Sequence, residues 1–408
     1  MREKKKTYST LINLILYTLL LIATPFLLLQ NYLQTFIGKL SLFKFKLFGL
    51  SVPYIVIIAI ILGLFLIFKN RKHLTKFRII STLVTVALLI FGQKLSDFYF
   101  NHTFYELQHN WHYFAYGIFS YIAYRFFKSK NKTDAQIILF TFIAALSIST
   151  FDEFIQIHIS NRIFDIGDIG KDAWGVVIGM FFLFFVVKQG EIVSHNWKVR
   201  EIKIKNYFEN PFSLLFLEAV FTLILLFISS QLTNFEYLGN SIFISIGIFL
   251  FFFFILHLSQ RKIFRRIFIG LAIIYFLGQG FFFLKYHNNG IISNSYGMTI
   301  YKGIPLPFFD VMIFENGCFR FVDKKHDFNK RDINTICHQA PDILLIGSGS
   351  EGLGGNGFPE KQMTQFIFNA VKLKPMQVII LKTPDACKKY NQLKKEGYHV
   401  LFIIHNTC

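Results

Sequence analysis

Long apolar runs occupy most of the chain before residue 290 and limit the folds that it can adopt. A helix needs about 20 mostly apolar residues to cross the hydrocarbon core of a bilayer. Because 53% of the residues are hydrophobic and only 16% are charged, a soluble fold could not bury this much apolar surface. The sequence therefore predicts a polytopic α-helical integral membrane protein with about nine transmembrane helices, at 8–30, 48–68, 79–96, 109–127, 135–157, 170–188, 211–231, 241–259 and 265–286.

The 43 Lys and Arg residues, which give a net charge of +19, concentrate in alternate loops. Basic loops follow the predicted second, fourth, sixth and eighth spans, whereas the loops 97–108 and 232–240 contain no Lys or Arg. Short cytoplasmic loops carry the excess of positive charge in membrane proteins. The pattern predicts a multi-pass membrane protein with a cytoplasmic N-terminus and an extracytoplasmic C-terminal part. It also explains the charge by insertion into a lipid bilayer, so no nucleic-acid partner is expected.

Polar residues gather around the predicted fourth, fifth and sixth spans. His112 and Tyr116 are four residues apart and share one helix face, as do Asp152 and Gln156. Because ionisable groups near a bilayer need water, a partner or a proton, we expect one pocket at the outer face. His112, Asp152 and Glu153 are its candidates for acid–base catalysis. The candidates for binding are Tyr116, Gln156, Arg162, Asp168 and Asp172.

The predicted sixth span carries a stripe of acidic and small residues. Asp168, Asp172, Gly175 and Gly179 fall on one helix face. The two glycines form a small-xxx-small pair, which allows another helix to pack closely. A structural alternative treats the two aspartates as ordinary groups near a helix N-terminus. The sequence indicates no metal site and no cofactor.

In order along the chain, these motifs resemble the VanZ-like family. The resemblance covers about residues 80–185 and implies a multi-span bacterial membrane protein. The family is named for low-level resistance to the glycopeptide teicoplanin, and its molecular activity is not established. The motifs that carry it are His112-x3-Tyr116, Asp152-Glu153-x2-Gln156, Arg162 and Asp168-x3-Asp172-x2-Gly175-x3-Gly179.

Beyond residue 290 the apolar runs shorten to strand length, which predicts a small mixed α/β soluble domain. The expected helices are 359–373 and 384–396, the second with Thr383 as N-cap and Gly397 just past its end. The expected strands are 308–315, 317–322, 342–347, 376–381 and 399–404. We expect four regions: N-terminal transmembrane helices at 1–78, a VanZ-like domain at 79–190, additional transmembrane helices at 191–289 and the α/β domain at 290–408.

The α/β domain contains a glycine-rich segment, Gly347-x-Gly349-x2-Gly352, which we interpret as a tight turn because no acidic residue follows the next strand as a dinucleotide site requires. The domain resembles the Mth938-like family over about 291–408. That resemblance implies a small α/β binding or scaffold domain with a possible protein partner. Its motifs are Ser295-Tyr296-Gly297, Phe309-Asp310-Val311, Ile346-Gly347-Ser348-Gly349, Thr383-Pro384-Asp385-Ala386-Cys387, Tyr390-Asn391 and His405-Asn406-Thr407-Cys408.

All four cysteines, Cys318, Cys337, Cys387 and Cys408, lie in the α/β domain and lack metal-ligand spacing. Outside the cytoplasm at least one disulfide is expected among the four cysteines, and it should involve Cys318, Cys337 or Cys408. Cys387, near a helix N-terminus, is either a reactive thiol or an inert buried one, and the inert state is favoured.

Our leading hypothesis is a VanZ-like cell-envelope membrane protein that recognises or alters an envelope precursor or a glycopeptide at its outer face. This activity would link it to teicoplanin-type resistance or envelope modification. Whether it is an enzyme stays open, and binding is favoured. One alternative is a membrane enzyme acting on a lipid-linked or peptidoglycan precursor, with Glu153 or Asp152 as general base and His112 as its partner. Another is a proton-coupled transporter that uses the acidic stripe.

Overall fold

The computed structural model describes residues 2–23, 43–47, 50–54, 61, 75–96, 107–158, 164–193, 199–232, 235–322, 336, 341–350, 352, 368–369 and 374–406. These residues belong to two compact units. The first unit is helical and takes in most of the chain up to His257. The second contains residues 258–408 and includes the α/β domain.

The helices before the α/β domain are α1 (Arg2–Ala23), α2 (Lys76–Ser96), α3 (Leu107–Ser129), α4 (Asp134–Gln156), α5 (Ile166–Phe181, continued as a π-helix over Phe182–Val187), α6 (Ile204–Glu209), α7 (Pro211–Gln231), α8 (Leu238–Leu258) and α9 (Lys262–Tyr286). Six of these described helices, α2, α4, α5, α7, α8 and α9, are long and apolar enough to cross a membrane. The chain is therefore a multi-span membrane protein with a C-terminal α/β domain.

The six helices coincide with six of the nine predicted spans, and the count of nine is not shown. Helix α3 occupies the predicted fourth span but carries polar residues such as Asn110 and Arg125. Helix α1 covers part of the predicted first span, and residues 24–30 lie outside the described residues. The predicted second span is wrong at its start, and most of its remainder lies outside the described residues. Strands β1 (Lys44–Leu47) and β2 (Leu50–Pro53) pair there, because Lys and apolar residues alternate as in a strand.

Helices α3 and α5 pack against each other at unusually short range, because α5 presents glycines to α3. A Cβ atom added at Gly175 would lie 3.0 Å from the Cα atom of Tyr113, and one at Gly179 would lie 2.7 Å from the carbonyl oxygen of Gly117. On α2, Gly92 leaves room for the fully buried Trp174 of α5, whose Nε1 atom donates to the carbonyl oxygen of Leu88 at 3.1 Å. These contacts fix α5 in the centre of the helical unit.

The two ends of the helical unit differ in charge. At the end where α3 stops and α4 starts, the Oδ1 atom of Asp134 lies 3.3 Å from Nζ of Lys128 and 3.9 Å from Nζ of Lys188. Arg78 of α2 donates to the carbonyl oxygen of Val186 at the end of α5. The opposite end, where α4 stops and α5 starts, collects carboxylates instead.

The α/β domain contains a five-stranded sheet and a separate three-stranded meander. Its elements are β3 (Ile291–Ser295), β4 (Met298–Tyr301), β5 (Ile304–Pro307), β6 (Asp310–Ile313), β7 (Phe319–Val322), β8 (Ile343–Gly347), β9 (Phe368–Asn369), β10 (Lys374–Pro375), β11 (Gln377–Leu381), α10 (Thr383–Lys395) and β12 (Val400–Ile404). The large sheet has the order β11-β8-β12-β6-β7, in which β8 pairs in parallel with both neighbours and β12 pairs antiparallel with β6. Strands β3, β4 and β5 form the meander, while β9 and β10 form a two-stranded pair.

The five predicted strands and the second predicted helix are found in the domain, whereas the meander was not predicted. The predicted helix at 359–373 lies largely outside the described residues, and Phe368–Asn369 within it is the strand β9. Gly397 follows α10 with a φ of 83°, as a helix-terminating glycine does. Thr383 is not the N-cap. Lys382 takes that position, and the Thr383 hydroxyl instead donates to the carbonyl oxygen of His405 across the sheet edge.

Candidate functional site

Nine polar side chains from α3, α4, α5 and the segment before α5 meet at the acidic end of the helical unit, and we call them the acidic cluster. Helix α4 supplies a stripe along its last two turns, because Ser149, Glu153 and Gln156 are all buried on one face. Helix α5 begins at the same level, with Asp165 as its N-cap. The members are His112, Ser149, Asp152, Glu153, Gln156, Asp165, Asp168, Lys171 and Asp172.

Asp172 is the centre of the cluster. Its Oδ1 atom lies 2.9 Å from Nδ1 of His112 on α3, and its Oδ2 atom accepts a hydrogen bond of 2.6 Å from Ser149 Oγ on α4. The residue is 3% exposed, so both oxygens are held away from bulk solvent. Tyr116, one turn after His112, is also buried, and its hydroxyl interacts with Ser149. One carboxylate therefore joins three helices.

Asp168 extends the network toward the helix end. Its Oδ2 atom lies 3.4 Å from Nε2 of His112, and its Oδ1 atom accepts from Lys171 Nζ at 2.6 Å. The imidazole of His112 is thus held between two aspartates one helical turn apart. About a quarter of the side-chain surface of His112 and of Asp168 remains exposed, so this part of the cluster is accessible.

Glu153 and Asp152 occupy the other side of the cluster and differ in their bonding. Glu153 accepts from Gln156 Nε2 at 2.9 Å and from the backbone N–H of Asp165 at 3.0 Å. Asp152 accepts from Gln156 at 3.3 Å through Oδ2, whereas its buried Oδ1 has no hydrogen-bond partner among the described residues. Asp165 itself accepts from the backbone N–H of Gly167 and so caps α5. Among the described residues, Asp152 Oδ1 is therefore the carboxylate oxygen of this pair that can still accept a hydrogen bond.

The structure brings together most of the predicted site residues. His112, Asp168 and Asp172 form one bonded group, and Asp152, Glu153 and Gln156 form a second at the same end of the helical unit. Tyr116 lies beside them. Gly175 and Gly179 lie further along α5, against α3. Arg162, predicted to bridge two carboxylates, lies outside the described residues.

Three members, Ser149, Asp165 and Lys171, were not among the predicted site residues. Lys171 pairs with Asp168 three residues earlier, and this helical spacing of opposite charges was a visible signal. Ser149 precedes Glu153 by four residues and therefore shares its face. A serine within an apolar helix is common, so that signal was weak.

The cluster contains more carboxyl groups than basic groups. Its carboxyl groups are Asp152, Glu153, Asp165, Asp168 and Asp172, whereas its basic groups are Lys171 and His112. Within the described ranges, no group of three or more His, Cys, Asp or Glu side chains has the arrangement of a metal site. The groups present can form hydrogen bonds, transfer protons and attract a positively charged group.

A second buried polar network lies in the α/β domain, where β6 and β12 lie side by side. Asp310 is fully buried, and its Oδ2 atom lies 2.5 Å from Nδ1 of His405. Its Oδ1 atom accepts from the backbone N–H of Asn406 at 3.1 Å. The Asn406 amide donates to the backbone oxygens of Leu306 and Phe309. This network joins the meander to the large sheet.

Residues 297–405 match the model of a family described as "Protein of unknown function (DUF498/DUF598)". The C-terminal domain is DUF498/Mth938-like. The Asp310–His405–Asn406 network thus falls within or beside the matched part of the DUF498 domain. Among solved structures, a chain titled "MT938" is similar, with 21% identity, 29% of this chain and 98% of that chain covered, and a TM-score of 0.23. No curated protein matches the sequence.

The comparisons support the Mth938-like resemblance for the DUF498 domain. They give no support to the VanZ-like resemblance of residues 80–185, which stays a prediction from the motifs.

Proposed function

We propose that this chain is a cell-envelope membrane protein whose acidic cluster binds an amine-bearing envelope component at the outer face, with the DUF498 domain as a binding or scaffold module. The observation that carries the proposal is the excess of carboxylates over basic groups in the cluster, together with the unused Oδ1 atom of Asp152. A cationic amine supplies the charge and the donors that this oxygen lacks. Hydrogen bonds to charged groups contribute about 1.5–3 kcal/mol each.

The ligand class follows from the same features. Peptidoglycan precursors with a free amino group in the peptide, and teicoplanin-type glycopeptides, both present amines at the outer surface of the cell membrane. Attachment to the membrane would bring a lipid-linked precursor to the end of the helices, where His112 and Asp168 are accessible. The proposed link to glycopeptide resistance rests on this chemistry and on the VanZ-like motifs.

Binding is tested with the full chain in lipid nanodiscs and a lipid-linked precursor that carries a free peptide amine. The Asp152→Asn variant keeps the size and polarity of the side chain and removes its charge. Loss of one hydrogen bond to a charged group should weaken binding about 10-fold to 100-fold. Glu191→Gln is the matched control, because Glu191 is an exposed acidic residue at the opposite, basic end.

The N-acetylated precursor separates charge recognition from other contacts. We expect acetylation to weaken binding of the unmodified protein as strongly as Asp152→Asn does, and to have little further effect on that variant. Equal binding of the acetylated and free precursors would refute the proposal. A strain lacking the chain should become more sensitive to teicoplanin only if the same interaction operates in cells.

Catalysis on the bound precursor is the second candidate, and one observation favours it. Asp172 holds His112 in a fixed orientation, and the unpartnered oxygen of Asp152 is placed to accept a proton. Glu153 is a poorer base because both of its oxygens already accept hydrogen bonds. Mass spectrometry of the precursor after incubation with the protein would show a changed product if the chain is an enzyme.

A further inference from the structure

Glu218 is a second carboxyl group inside the helical unit, outside the acidic cluster. It is the eighth residue of the 21-residue helix α7 and therefore lies within the apolar span. The residue is 7% exposed, it forms no ion pair, and its Oε1 atom has no hydrogen-bond partner among the described residues. An ionised carboxylate in the centre of a membrane helix costs about 2.5–3.5 kcal/mol even on insertion scales. Without a counter-charge the neutral, protonated form is favoured.

Three helices surround the level of Glu218. The ring of Phe221, one turn after Glu218, lies 6.2 Å from that of Phe142 on α4 and 5.5 Å from that of Phe249 on α8. Leu217, the preceding residue, packs in one cluster with Tyr207 of α6 and Phe253 of α8. Glu218 is therefore enclosed by protein rather than by lipid.

These helices also carry buried hydroxyl groups whose hydrogen-bonding capacity is unused. Thr222 lies one turn after Glu218 on the same face of α7, and Thr141 adjoins Phe142 on α4. Ser241 and Ser245 lie on the face of α8 that continues to Phe249. All four residues are 0% exposed, and none of the four hydroxyl oxygens has a partner in the part of the chain that the structure describes. Buried polar atoms are normally paired, so this concentration indicates a polar function.

Within the described ranges, no titratable group on the neighbouring elements forms an ion pair or hydrogen bond with Glu218. On α6 and α8, Tyr207 and His257 contact each other, with the hydroxyl 3.4 Å from Nδ1 of the imidazole. On α4, Asp134 pairs with Lys128 and Lys188 at the basic end. The carboxylates at the other end of α4 and those of α5 belong to the acidic cluster. A proton is the charge that a single unpaired carboxyl group can bind without a further ligand.

The acidic cluster offers a route for that proton. Thr141, Ala145 and Ser149 recur at intervals of four residues on α4, and all three are fully buried. Ser149 donates to Asp172 in the acidic cluster. Thr141 therefore lies two helical turns, about 12 Å, from a residue of that cluster.

We propose that Glu218 binds an exchangeable proton inside the helix bundle, and that the hydroxyls of Thr141, Thr222, Ser241 and Ser245 line the path by which the proton arrives and leaves. In the bound state the Glu218 carboxylate has taken one proton from a hydronium ion and released one water molecule. The reverse step restores the carboxylate. Since Glu218 does not belong to the acidic cluster, the inference does not depend on the ligand proposed there.

Infrared spectroscopy of the full chain in lipid vesicles at neutral pH tests the protonation. The carbonyl stretch of a protonated carboxylic acid is separate from the bands of carboxylates and amides. We expect Glu218→Gln to remove one carboxylic-acid component from that region. Glu209→Gln is the matched control, because Glu209 is exposed and paired with Lys205. Identical spectra of the unmodified protein and Glu218→Gln would overturn the proposal.

The unmodified protein provides a second measurement if Glu218→Gln fails to fold. A hydrophobic carbodiimide adds to protonated carboxyl groups in apolar surroundings, and mass spectrometry locates the adduct. We expect modification of Glu218 that decreases as the pH is raised, whereas equal modification by a water-soluble carbodiimide would overturn the proposal. In deuterated water the Glu218 band should shift, and Thr141→Val should slow that shift at least about 10-fold. A band that never shifts would rule out exchange.

Discussion

The imidazole of His112 and the carboxylate of Asp172 meet between helices α3 and α5, with Nδ1 of His112 2.9 Å from Oδ1 of Asp172. The contact joins residues 60 positions apart in the sequence, and it holds the centre of the acidic cluster together. Its strength can be separated from the effects of burial by removing each partner in turn.

A double-mutant cycle with His112→Asn and Asp172→Asn should give a coupling energy of about 0.5–3 kcal/mol, because the two groups are in contact and shielded from solvent. Thermal unfolding of the full chain in nanodiscs measures the four free energies. The control cycle uses Lys128 and Asp134, an exposed pair for which about 0.2–1 kcal/mol is expected. Additive effects at His112 and Asp172 would contradict the interaction.

Gly175→Ala should lower the free energy of unfolding by about 1–3 kcal/mol, because the new methyl group would lie 3.0 Å from backbone atoms of Tyr113 on α3. Gly247→Ala on α8 is the matched control, since nothing lies within 4 Å of the added Cβ atom. That control should be neutral or slightly stabilising, as alanine is the better helix former. Equal melting temperatures of the two variants would argue against close packing of α3 and α5.

Asp310→Ala should destabilise the DUF498 domain by about 1–3 kcal/mol for each donor left unsatisfied, because both His405 and Asn406 lose their acceptor. Hydrogen exchange of the domain's amides in the full chain measures the change. Asp385→Ala is the control, because Asp385 is exposed and pairs only with Lys388 on the surface. Its effect should stay below about 1 kcal/mol.

Cys318 and Cys387 should differ sharply in reactivity. Both are free thiols, but Cys318 is exposed, whereas burial raises the pKa of Cys387 to about 12. Alkylation at pH 8, followed by site-resolved mass spectrometry, should modify Cys318 quickly and Cys387 only after unfolding. Because the folded-state pKa of Cys387 is raised, its contribution to stability is complete below its unfolded pKa and is lost as the pH rises toward 12. Fast alkylation of native Cys387 would contradict this environment.

The predicted disulfide is checked in the same samples without reduction. Cys337 and Cys408 lie outside the described residues, so the expectation of a bond among Cys318, Cys337 and Cys408 remains a prediction. Four free thiols in protein from native membranes would count against it.

Labelling from outside the cell tests the orientation of the helices. His158 and Lys130 are exposed residues beyond opposite ends of α4. Because Lys130 lies at the basic end, an impermeant maleimide should modify His158→Cys in intact cells and Lys130→Cys only after permeabilisation. After residue 290, a fused reporter that works only outside the cytoplasm should be active. Activity of a reporter that works only in the cytoplasm would contradict the nine-span topology.

Helical spans and strands were predictable where a continuous apolar run had the length of a span or of a strand, as in α7 and β8. The N-cap of α10 could not be predicted in this way. Lys382 is the N-cap rather than Thr383, because the Thr383 hydroxyl donates to His405 at the end of a strand that is distant in sequence. Likewise, the pairing of β1 with β2 was hidden by the apolar run that follows. In the acidic cluster, spacing indicated which residues share a face. The spacing did not indicate that the Asp172 carboxylate would contact both His112 and Ser149, since these contacts depend on how closely three helices pack.

The capping box at the start of α4, in which Thr133 and Gln136 exchange side-chain and backbone hydrogen bonds, makes the connection between α3 and α4 short and well defined. Two helices joined in this way can enter the bilayer as one hairpin during biosynthesis. His112 and Glu153 then reach the far side of the membrane before Asp172 has been inserted. His112 meets Asp172, and Glu153 receives the backbone N–H of Asp165, only when α5 arrives, so insertion of that helix completes the site and locks the hairpin in place.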